Sequence, residues 1–446
     1  MLELILPPKR IADEKARPHV RHYDAWLTAG GDGLITLTDR IFEMLQPPSL
    51  TEGRKPRADA AERRKVCTMT LVANLVVAAL SPACYGGLAM PLMNNKLTRY
   101  DRRGFTADVL RQVINEVENV GLVSVEKAIF KEQRTIVAPT QCFRQLIAEH
   151  GVSLADIRHL EGRETIELRA GSKRARDKTL VDYKDCHAAD TLRAQMEEIN
   201  EVLNGADIRF GGDQIDPIHL VRQFRIDQPE DDHTFDRHGR LYGGFWEGLP
   251  KEQRCLLTIG GEPVVDLDFV SMFVQLAYCH ETVEPPPGDL YAVPGLEEYR
   301  KAAKASIVSL FFRKAKAQRL PPGIKEELPA GWNMNRIKAA VAALHPGIAH
   351  LFDSNVGFEL MAMESEVLVG ILLELASKGV AALPMHDGIM VAGSQKQLAI
   401  DTMQRVSEEK VGRPLQVAEK EIKAPSPNNS PLWSTTGCLR AMDCVD

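Results

Sequence analysis

The stretch that decides the fold runs from Gly261 to Tyr278 and reads GEPVVDLDFVSMFVQLAY. Two carboxylates, Asp266 and Asp268, lie within its apolar run, and an ionised side chain there needs a partner because burying it unpaired is costly. The pattern predicts a buried strand that delivers Asp268 at its end and then turns into a short helix. On its own, an aspartate at a strand end is more often a structural cap or an ion-pair partner than a metal ligand, so other motifs must decide its role.

Length and composition indicate a globular protein with room for more than one domain. With 446 residues, of which 44% are hydrophobic, the chain can bury a sizeable core and suggests two or three domains. The formal net charge of -6 excludes a uniformly basic coat for nucleic acid but leaves a local basic groove open. The eight cysteines form no CxxC pair, which argues against a zinc ribbon and against a disulfide framework.

The sequence contains no pattern typical of secretion or of membrane insertion. Its N-terminal residues lack a long apolar core and a small-residue cleavage site. The most apolar window, residues 66–80, is too short and too polar to span a bilayer, and we interpret it as a buried core helix. We therefore expect a cytoplasmic protein with no membrane partner.

The N-terminal half contains one recognisable order of elements. Thr106 can cap a helix that ends at Gly121, and two short strands follow at Leu122–Val125 and Thr135–Val137. This order resembles a winged-helix module, and three arginines lie near its presumed recognition helix, namely Arg102, Arg103 and Arg111. Winged helices bind DNA often, but many serve only as protein contacts, so both interpretations stay open.

A second motif lies in residues 300–312, which read RKAAKASIVSLFF. Arg300, Lys304, Val308 and Phe312 recur every four residues and therefore line one slowly drifting face of a helix. Such a face could hold a triphosphate at its basic end and pack on a base at its aromatic end. An ordinary amphipathic helix with a basic flank would show the same spacing.

A third motif lies in residues 383–391, which read LPMHDGIMV. Apolar strands flank His386 and Asp387, and Gly388 allows a tight turn or a positive φ, so we predict a hairpin that presents His386 and Asp387 at its tip. An HD dipeptide also occurs in metal-dependent phosphohydrolases. Those enzymes need a helical context and further histidines, which this stretch does not offer.

These three motifs resemble, in their order along the chain, motifs A, B and C of the family A DNA polymerases: VVDLDFVSMF, then RKAAKASIVSLFF, then LPMHDGIMV. That family is the group of bacterial DNA polymerase I and the single-subunit phage polymerases. The segment from Glu359 to Lys378 resembles the helix before motif C, and RHGRLYGGFWEGLP, from Arg237 to Pro250, resembles a template-primer segment. The resemblance implies a template-directed DNA polymerase that joins dNTPs to the 3′-OH of a DNA primer-template. It also implies an α+β fold, a right-hand palm with an antiparallel sheet and helical fingers.

The resemblance further implies a two-metal site. Two Mg²⁺ ions, or Mn²⁺ in their place, would be held by the carboxylates of Asp268 and Asp387 and the backbone carbonyl of Phe269. Arg300 and Lys304 would bind the triphosphate, and Lys304 would also protonate the pyrophosphate leaving group. Phe312 would close over the nascent base pair, and Tyr291 would contact the phosphate or sugar of the nucleotide. His386 would contact the primer end, and Arg240 would contact the minor groove of the duplex. Asp266 is given a structural role.

Two departures from the family pattern bear on specificity. Phe273 stands where DNA polymerases of this family usually have a glutamate, and its bulk beneath the sugar would leave no room for a 2′-hydroxyl. We therefore predict a preference for deoxynucleotides, although Phe273 could instead simply pack in the palm. Ile307-Val308-Ser309 replaces the usual Asn-Phe-Gly, which puts fidelity and speed in doubt.

We expect four segments along the chain. Residues 1–55 should form an irregular arm, with a turn at Gly30-Gly31-Asp32-Gly33. Residues 56–150 should form the winged-helix-like domain within a mainly helical region, 151–234 a thumb-like or connecting region, and 235–446 the palm and fingers. Nothing before residue 235 resembles a proofreading exonuclease, and the compact design suits a phage or plasmid enzyme. Replication proteins could bind the winged-helix region.

Two other functions stay open from the sequence alone. The first is a single-subunit RNA polymerase or primase-like enzyme that uses ribonucleotides, and Phe273 is the residue that discriminates against it. The second is a DNA-binding replication initiator or regulator with a degenerate palm. Retention of Asp268, Asp387, Arg300 and Lys304 argues against the second, because a relic has no physical need to keep two carboxylates together.

Overall fold

The computed structural model describes residues 20–45, 59–81, 86–92, 97–129, 134–171, 179–314, 320 and 323–422. They fall into two compact units. The first comprises the described residues up to Arg163 together with Asp213–Pro217, and the second comprises Glu164–Gly212 and the described residues from Ile218 onward. Both contain helices and strands, so a fold of mixed helix and sheet is confirmed, which is consistent with the predicted α+β class. No helix within the described ranges is long and apolar enough to cross a membrane.

The first unit contains a four-stranded sheet and a two-stranded ribbon. Its helices are α1 (Asp32–Met44), α2 (Ala60–Leu80), α3 (Ala107–Asn119) and α4 (Gln141–Glu149). Its strands are β1 (Arg21–His22), β2 (Leu27–Ala29), β3 (Leu88–Ala89), β4 (Val123–Glu126), β5 (Ile136–Pro139), β6 (Ile157–His159) and β10 (Asp213–Gln214). The sheet has the order β1-β3-β5-β4, in which only β1 and β3 run parallel, and β2 pairs antiparallel with β6.

Helix α2 forms the centre of this unit. All residues from Leu71 to Ala78 are buried, which confirms the predicted core helix. The buried amide of Asn74 is satisfied because its Nδ2 donates to the carbonyls of Asp24 and Thr70, both at 2.8 Å, and its Oδ1 accepts from the Asp24 N–H. A polar residue can therefore lie inside this apolar helix without an unpaired group.

The prediction of an irregular arm is wrong for residues 20–45. Leu34, Leu37 and Ile41 are fully buried on one face of α1, at the spacing of an amphipathic helix. The stabilisation from burying this apolar face exceeds the cost of placing glycines near the start of a helix. One of the glycines that suggested a turn, Gly31, is the residue before the helix. The remaining residues of the predicted arm lie outside the described ranges.

The local elements of the predicted winged-helix module are confirmed. Thr106 caps α3, since its side chain accepts a hydrogen bond from the Val109 N–H, and β4 and β5 form the predicted antiparallel pair. Arg111 is engaged locally, because it pairs with Asp108 at 2.7 Å and donates to the Leu92 carbonyl at 2.6 Å. That these elements form a winged helix stays a prediction.

The second unit contains two sheets and a long central helix. Its helices are α5 (His187–Gly205), α6 (Met272–His280), α7 (Arg300–Phe311), α8 (Met334–Leu344), α9 (Gly357–Ser377) and α10 (Lys396–Val411). Its strands are β7 (Ile166–Ala170), β8 (Thr179–Leu180), β9 (Ile208–Phe210), β11 (Val221–Ile226), β12 (His238–Tyr242), β13 (Leu257–Ile259), β14 (Glu262–Phe269), β15 (Leu383–Met385), β16 (Gly388–Ala392) and β17 (Val417–Lys420).

The larger sheet places the motif strands side by side. Strands β9, β13, β14, β16 and β15 follow one another in antiparallel order, and β17 pairs with the second half of β14. The other sheet has the order β12-β11-β7-β8, with β11 and β7 parallel. Helix α9 contacts α5, α6, α10 and β12, so it forms the core against which this unit packs.

The second unit begins at Glu164 and not at residue 235, where the sequence placed the start of the palm. The reason is visible at Arg222 on β11, whose guanidinium is fully buried. It donates to the Gly239 carbonyl and to Ser365 Oγ, both at 3.0 Å, and pairs with Glu366 at 2.7 Å. Most of the predicted connecting region is therefore built into the same core as the motif strands.

Candidate active site

Strand β14 delivers Asp268 as predicted. The strand ends at Phe269, Ser271 adopts a left-handed backbone with φ of 54°, and α6 begins at the next residue. The apolar side chains that follow, Met272, Phe273, Leu276 and Ala277, are buried. The strand, turn and helix predicted from this apolar run are confirmed.

The predicted hairpin forms with His386 and Asp387 between β15 and β16. The left-handed residue is His386, with φ of 49°, and not Gly388. Gly388 is required for a different reason, since a Cβ placed on it would lie 2.3 Å from the carbonyl oxygen of Leu267 on β14. The glycine therefore permits close approach of the two strands that carry the aspartates.

Pairing of β14 with β16 brings Asp268 and Asp387 together. Asp268 lies opposite Gly388, and the Phe269 N–H donates to the Asp387 carbonyl at 3.3 Å. Burial, and then the neighbouring charge of Asp387, raise the pKa of Asp268 to about 7 against the opposing effect of Lys420. The two carboxylates, 119 positions apart in the chain, thus form one electrostatically coupled pair.

The pair fits a divalent cation. Oδ1 of Asp268 is buried and has no hydrogen-bond partner among the described residues, and two like charges in one place favour a positive ligand. No group of three or more His, Cys, Asp or Glu side chains in the described ranges could hold a metal. The remaining ligands of a Mg²⁺ would have to be backbone, substrate or water oxygens, which Mg²⁺ commonly uses.

A cavity of about 360 Å³ opens beside the pair. Seven of the sequence-predicted residues line it: Arg240, Phe269, Phe273, Tyr291, Lys304, Phe312 and Asp387. The other lining residues are Arg225, His238, Ser271, Met272, Val308, Phe358, Met361 and Glu364. The cavity combines two carboxylates, cations and aromatic rings, which suits a charged ligand that also carries an aromatic group.

Helix α7 presents one face to this cavity. Lys304, Val308 and Phe312 line it, as the four-residue spacing predicts, and Lys304 Nζ lies 5.5 Å from the centre of the Tyr291 ring. Arg300 does not line the cavity. Its exposed guanidinium pairs with Asp289, with Nη2 at 2.9 Å from Oδ1, and lies 5.4 Å from the same tyrosine ring.

Phe273 belongs to an aromatic cluster at the cavity wall. Its ring stacks on Phe312 with centroids 5.4 Å apart, and Phe312 meets Phe358 edge-on at 5.2 Å. Only 8% of the surface of Phe273 is exposed. Phe273 therefore both lines the cavity and packs in the core, so the geometry accommodates either of its expected roles.

Arg240 is held by a carboxylate that sequence reasoning missed. Its Nε and Nη2 lie 2.6 and 3.0 Å from the two oxygens of Glu364, which is buried on α9. Burial raises the pKa of Glu364 to about 7, and Arg240 opposes that rise. Glu364 lies in the apolar run ELMAMESEVLVGIL, so the criterion applied to Asp268, a carboxylate inside an apolar stretch, would have found it.

Lys420, on β17, is a second residue that was missed. Its ammonium pairs with Oδ2 of Asp268 because β17 lies beside the end of β14. The surrounding sequence, VAEKEIK, is typical of an exposed strand and offered no signal of such a contact. Its position depends on a strand pairing that local sequence does not reveal.

Two further predicted residues, His386 and Asp266, do not line the cavity. The ring of His386 lies 6.0 Å from that of Tyr242, and burial lowers the pKa of the imidazole. Asp266 pairs with Arg254 at 2.8 Å, which agrees with the structural role expected for it.

No family model and no curated protein sequence matches this chain. Among solved structures it is similar to the POL domain of Pol1 from M. smegmatis, in complex with DNA primer-template and dNTP. The TM-score is 0.30 and the identity 11%, over 89% of this chain and 67% of that one. A functional conclusion must therefore come from the residues of the site itself.

Proposed function

We propose that this protein is a template-directed DNA polymerase that transfers dNTPs to a primer 3′-OH. The observation that carries the proposal is the meeting of Asp268 and Asp387 across β14 and β16, beside a cavity lined by Lys304 and several aromatic residues. These residues belong to three motifs whose order along the chain resembles that of family A polymerases. In this proposal the sheet that carries β14 and β16 is the palm, and α7 belongs to the fingers.

The two carboxylates would hold the metal ions, with the Phe269 carbonyl as a further oxygen ligand. When bound, two Mg²⁺ or Mn²⁺ ions would stabilise the attacking and leaving oxygens of an in-line displacement. Asp268 suits this role because its Oδ1 is buried and unpaired among the described residues. Lys420 pairs with Oδ2 of Asp268, which offsets part of the repulsion between the two carboxylates.

The cations on α7 would act on the triphosphate. Lys304 lines the cavity, so it can bind the phosphates and donate a proton to the pyrophosphate as the bond from the α-phosphorus to the bridging oxygen breaks. Arg300 would reach the triphosphate from the exposed start of the helix by exchanging its ion pair with Asp289 for a phosphate. An exposed ion pair of this kind costs little to exchange.

The aromatic residues would position the nucleotide. Phe312 and Tyr291 line the cavity and offer faces for the base and the sugar, and Phe273 would exclude a 2′-hydroxyl by its volume. His386, at the hairpin tip, would contact the primer end. Arg240 would contact the duplex minor groove while it remains paired with Glu364.

Primer extension tests this proposal. A labelled primer on a DNA template is supplied with Mg²⁺ and either dNTPs or rNTPs, and the wild-type chain is compared with Asp387→Asn. We expect extension with dNTPs and none in the variant. Extension with rNTPs would favour the RNA polymerase or primase-like function, and tight DNA binding without any synthesis would favour the degenerate initiator.

A further inference from the structure

The first unit contains a cavity that plays no part in the proposed reaction. It has a volume of about 710 Å³ and is open to solvent. The β2–β6 ribbon and residues 99–103 form its walls, and the residues that follow β6 close it. Its lining residues are Trp26, Thr28, Arg99, Asp101, Arg102, Arg103, Arg158, His159, Leu160, Glu161 and Gly162.

The charge of this cavity is opposite to that of the whole chain. Four arginines and one histidine line it against two carboxylates, in a protein whose formal net charge is -6. One of the two carboxylates, Asp101, is already engaged, because it accepts hydrogen bonds from the backbone and the hydroxyl of Thr98 at 2.8 and 2.7 Å. An anion is therefore the ligand that the cavity favours.

Two of the arginines are available to a ligand. Arg103 and Arg158 are exposed, and the guanidinium of neither has a hydrogen bond or ion pair with any other described residue. Arg102, in contrast, is structural, since it donates to the Ala25 carbonyl at 2.9 Å and to Thr70 Oγ1 at 2.8 Å. Arg102 thus fixes the loop that carries Arg103 at the edge of the cavity.

Trp26 adds a flat apolar surface to the lining of the same cavity. Its indole N–H donates to the Tyr100 carbonyl at 3.4 Å, so the ring is tied to the same loop, while the side chain remains partly exposed in the cavity wall. A ring fixed beside unpaired arginines is the arrangement in which a base stacks while its phosphates are bound. In a duplex the base faces are covered by their neighbours, so only an unstacked base can reach such a ring.

We propose that this cavity binds single-stranded nucleic acid, with phosphates at Arg103 and Arg158 and a base on Trp26. The site does not depend on the polymerase assignment, because all its residues belong to the first unit. It shares Arg102 and Arg103 with the DNA contact expected of a winged helix, but its walls are the β2–β6 ribbon and a loop and not α3.

Oligonucleotide binding to the full-length chain tests this inference. The probe is a fluorescein-labelled single-stranded DNA of about 12 nucleotides without self-complementarity, titrated at several salt concentrations without Mg²⁺ and without dNTPs. Arg103→Gln/Arg158→Gln should lower the affinity by at least about tenfold, and the slope of log K against log salt should fall by about 1.4, or about 0.7 for each lost phosphate contact. The matched control is Arg40→Gln/Lys65→Gln, which removes two cations from another part of the same unit.

Trp26 supplies a local readout that polymerase activity cannot mimic. Binding should quench part of the tryptophan emission in the wild-type chain, and that part should be absent in Trp26→Phe, which keeps an aromatic ring and the fold. Trp26→Ala should weaken binding roughly tenfold, as loss of one stacked base does. Equal losses in the two double variants, or a quench that persists in Trp26→Phe, would each overturn the inference.

Discussion

Asp268 lies between a like charge and an opposite one. Asp387 and burial raise its pKa to about 7, while the Lys420 ammonium pairs with one of its oxygens and leaves the other without a partner among the described residues. An ionised carboxylate in this environment gains most from a further cation. The strand pairing that brings these charges together therefore creates an electrostatic environment that favours binding of a metal ion.

Phe273 should control the choice of sugar. Phe273→Ala removes the ring from the cavity wall, so the efficiency of ribonucleotide incorporation relative to deoxynucleotide incorporation should rise by about tenfold or more. The measurement is single-nucleotide primer extension with dNTP or rNTP at varied concentrations. Phe311→Leu is the control, because Phe311 packs 5.9 Å from Phe273 and does not line the cavity. An unchanged ratio in Phe273→Ala would mean that the ring only packs.

Arg240 should stabilise the folded protein whether or not DNA is bound. Arg240→Met leaves Glu364 buried and unpaired, which should lower the free energy of unfolding at pH 8 by about 3 kcal/mol. Adding Glu364→Leu should restore most of that loss, because the unpaired charge is gone. Chemical denaturation measures both.

Lys301→Met is the matched control for that experiment. Lys301 forms an exposed pair with Glu327, whose loss should cost at most about 1 kcal/mol. If Arg240→Met is no more destabilising than Lys301→Met, the buried pair does not have the importance assigned to it.

At the scale of elements, the pairing of β14 with β16 is the step on which the site depends. Gly388→Ala would place a Cβ 2.3 Å from the Leu267 carbonyl, so the strands must separate. We expect a loss of roughly 1–3 kcal/mol in the free energy of unfolding and loss of primer extension. Gly393→Ala, at the other end of β16, meets no atom closer than 3.5 Å and should be nearly neutral. Similar melting temperatures and activities for the two variants would contradict this account.

Elements with strong local signals were predictable. The strand and helix around Asp268, the face of α7 that carries Lys304, and α9 were all predicted close to their observed bounds. Helix α1 was missed because the glycines before it were given more weight than the spacing of Leu34, Leu37 and Ile41. Apolar spacing should prevail over isolated breakers when the two conflict.

Tertiary contacts explain what local signals could not provide. Lys420 reaches Asp268 only because β17 pairs with β14, and Arg300 pairs with Asp289 across a loop. The start of the second unit at Glu164 follows from the packing of α5 and β12 on α9, which no composition shift marks. Such contacts join residues far apart in the chain, so a single sequence carries little information about them.

Across the whole molecule, several buried carboxyl groups should make stability depend on pH. The pKa values of Asp268, Glu364 and Glu247 are each raised to about 7, in every case chiefly by burial. Between about pH 4.5 and pH 7 the folded chain keeps protons on these groups that the unfolded chain has released. Their contribution to stability is therefore full at the low end of this window and is lost as the pH rises towards 7.

Glu247 allows this dependence to be measured away from the metal ligands. Glu247→Gln removes one carboxyl group whose pKa is raised. The change it causes in the free energy of unfolding should therefore be more favourable at pH 8 than at pH 5, by up to about 3 kcal/mol. Urea denaturation at pH 5, 6, 7 and 8 measures the change, with Glu230→Gln on an exposed loop as the control. A pH dependence unchanged in Glu247→Gln would show that its carboxyl ionises freely in the folded state.

The most direct test of the central claim, that Asp268 and Asp387 form one metal site, is titration of the chain with Mn²⁺ followed by electron paramagnetic resonance. Wild type is compared with Asp268→Asn, Asp387→Asn and the control Asp266→Asn. Asp266 lies on the same strand as Asp268, but its carboxylate pairs with Arg254. We predict that Asp268→Asn and Asp387→Asn each weaken the same tight site by at least about tenfold, and that Asp266→Asn leaves it intact. Wild-type Mn²⁺ affinity in either Asp268→Asn or Asp387→Asn would contradict the account.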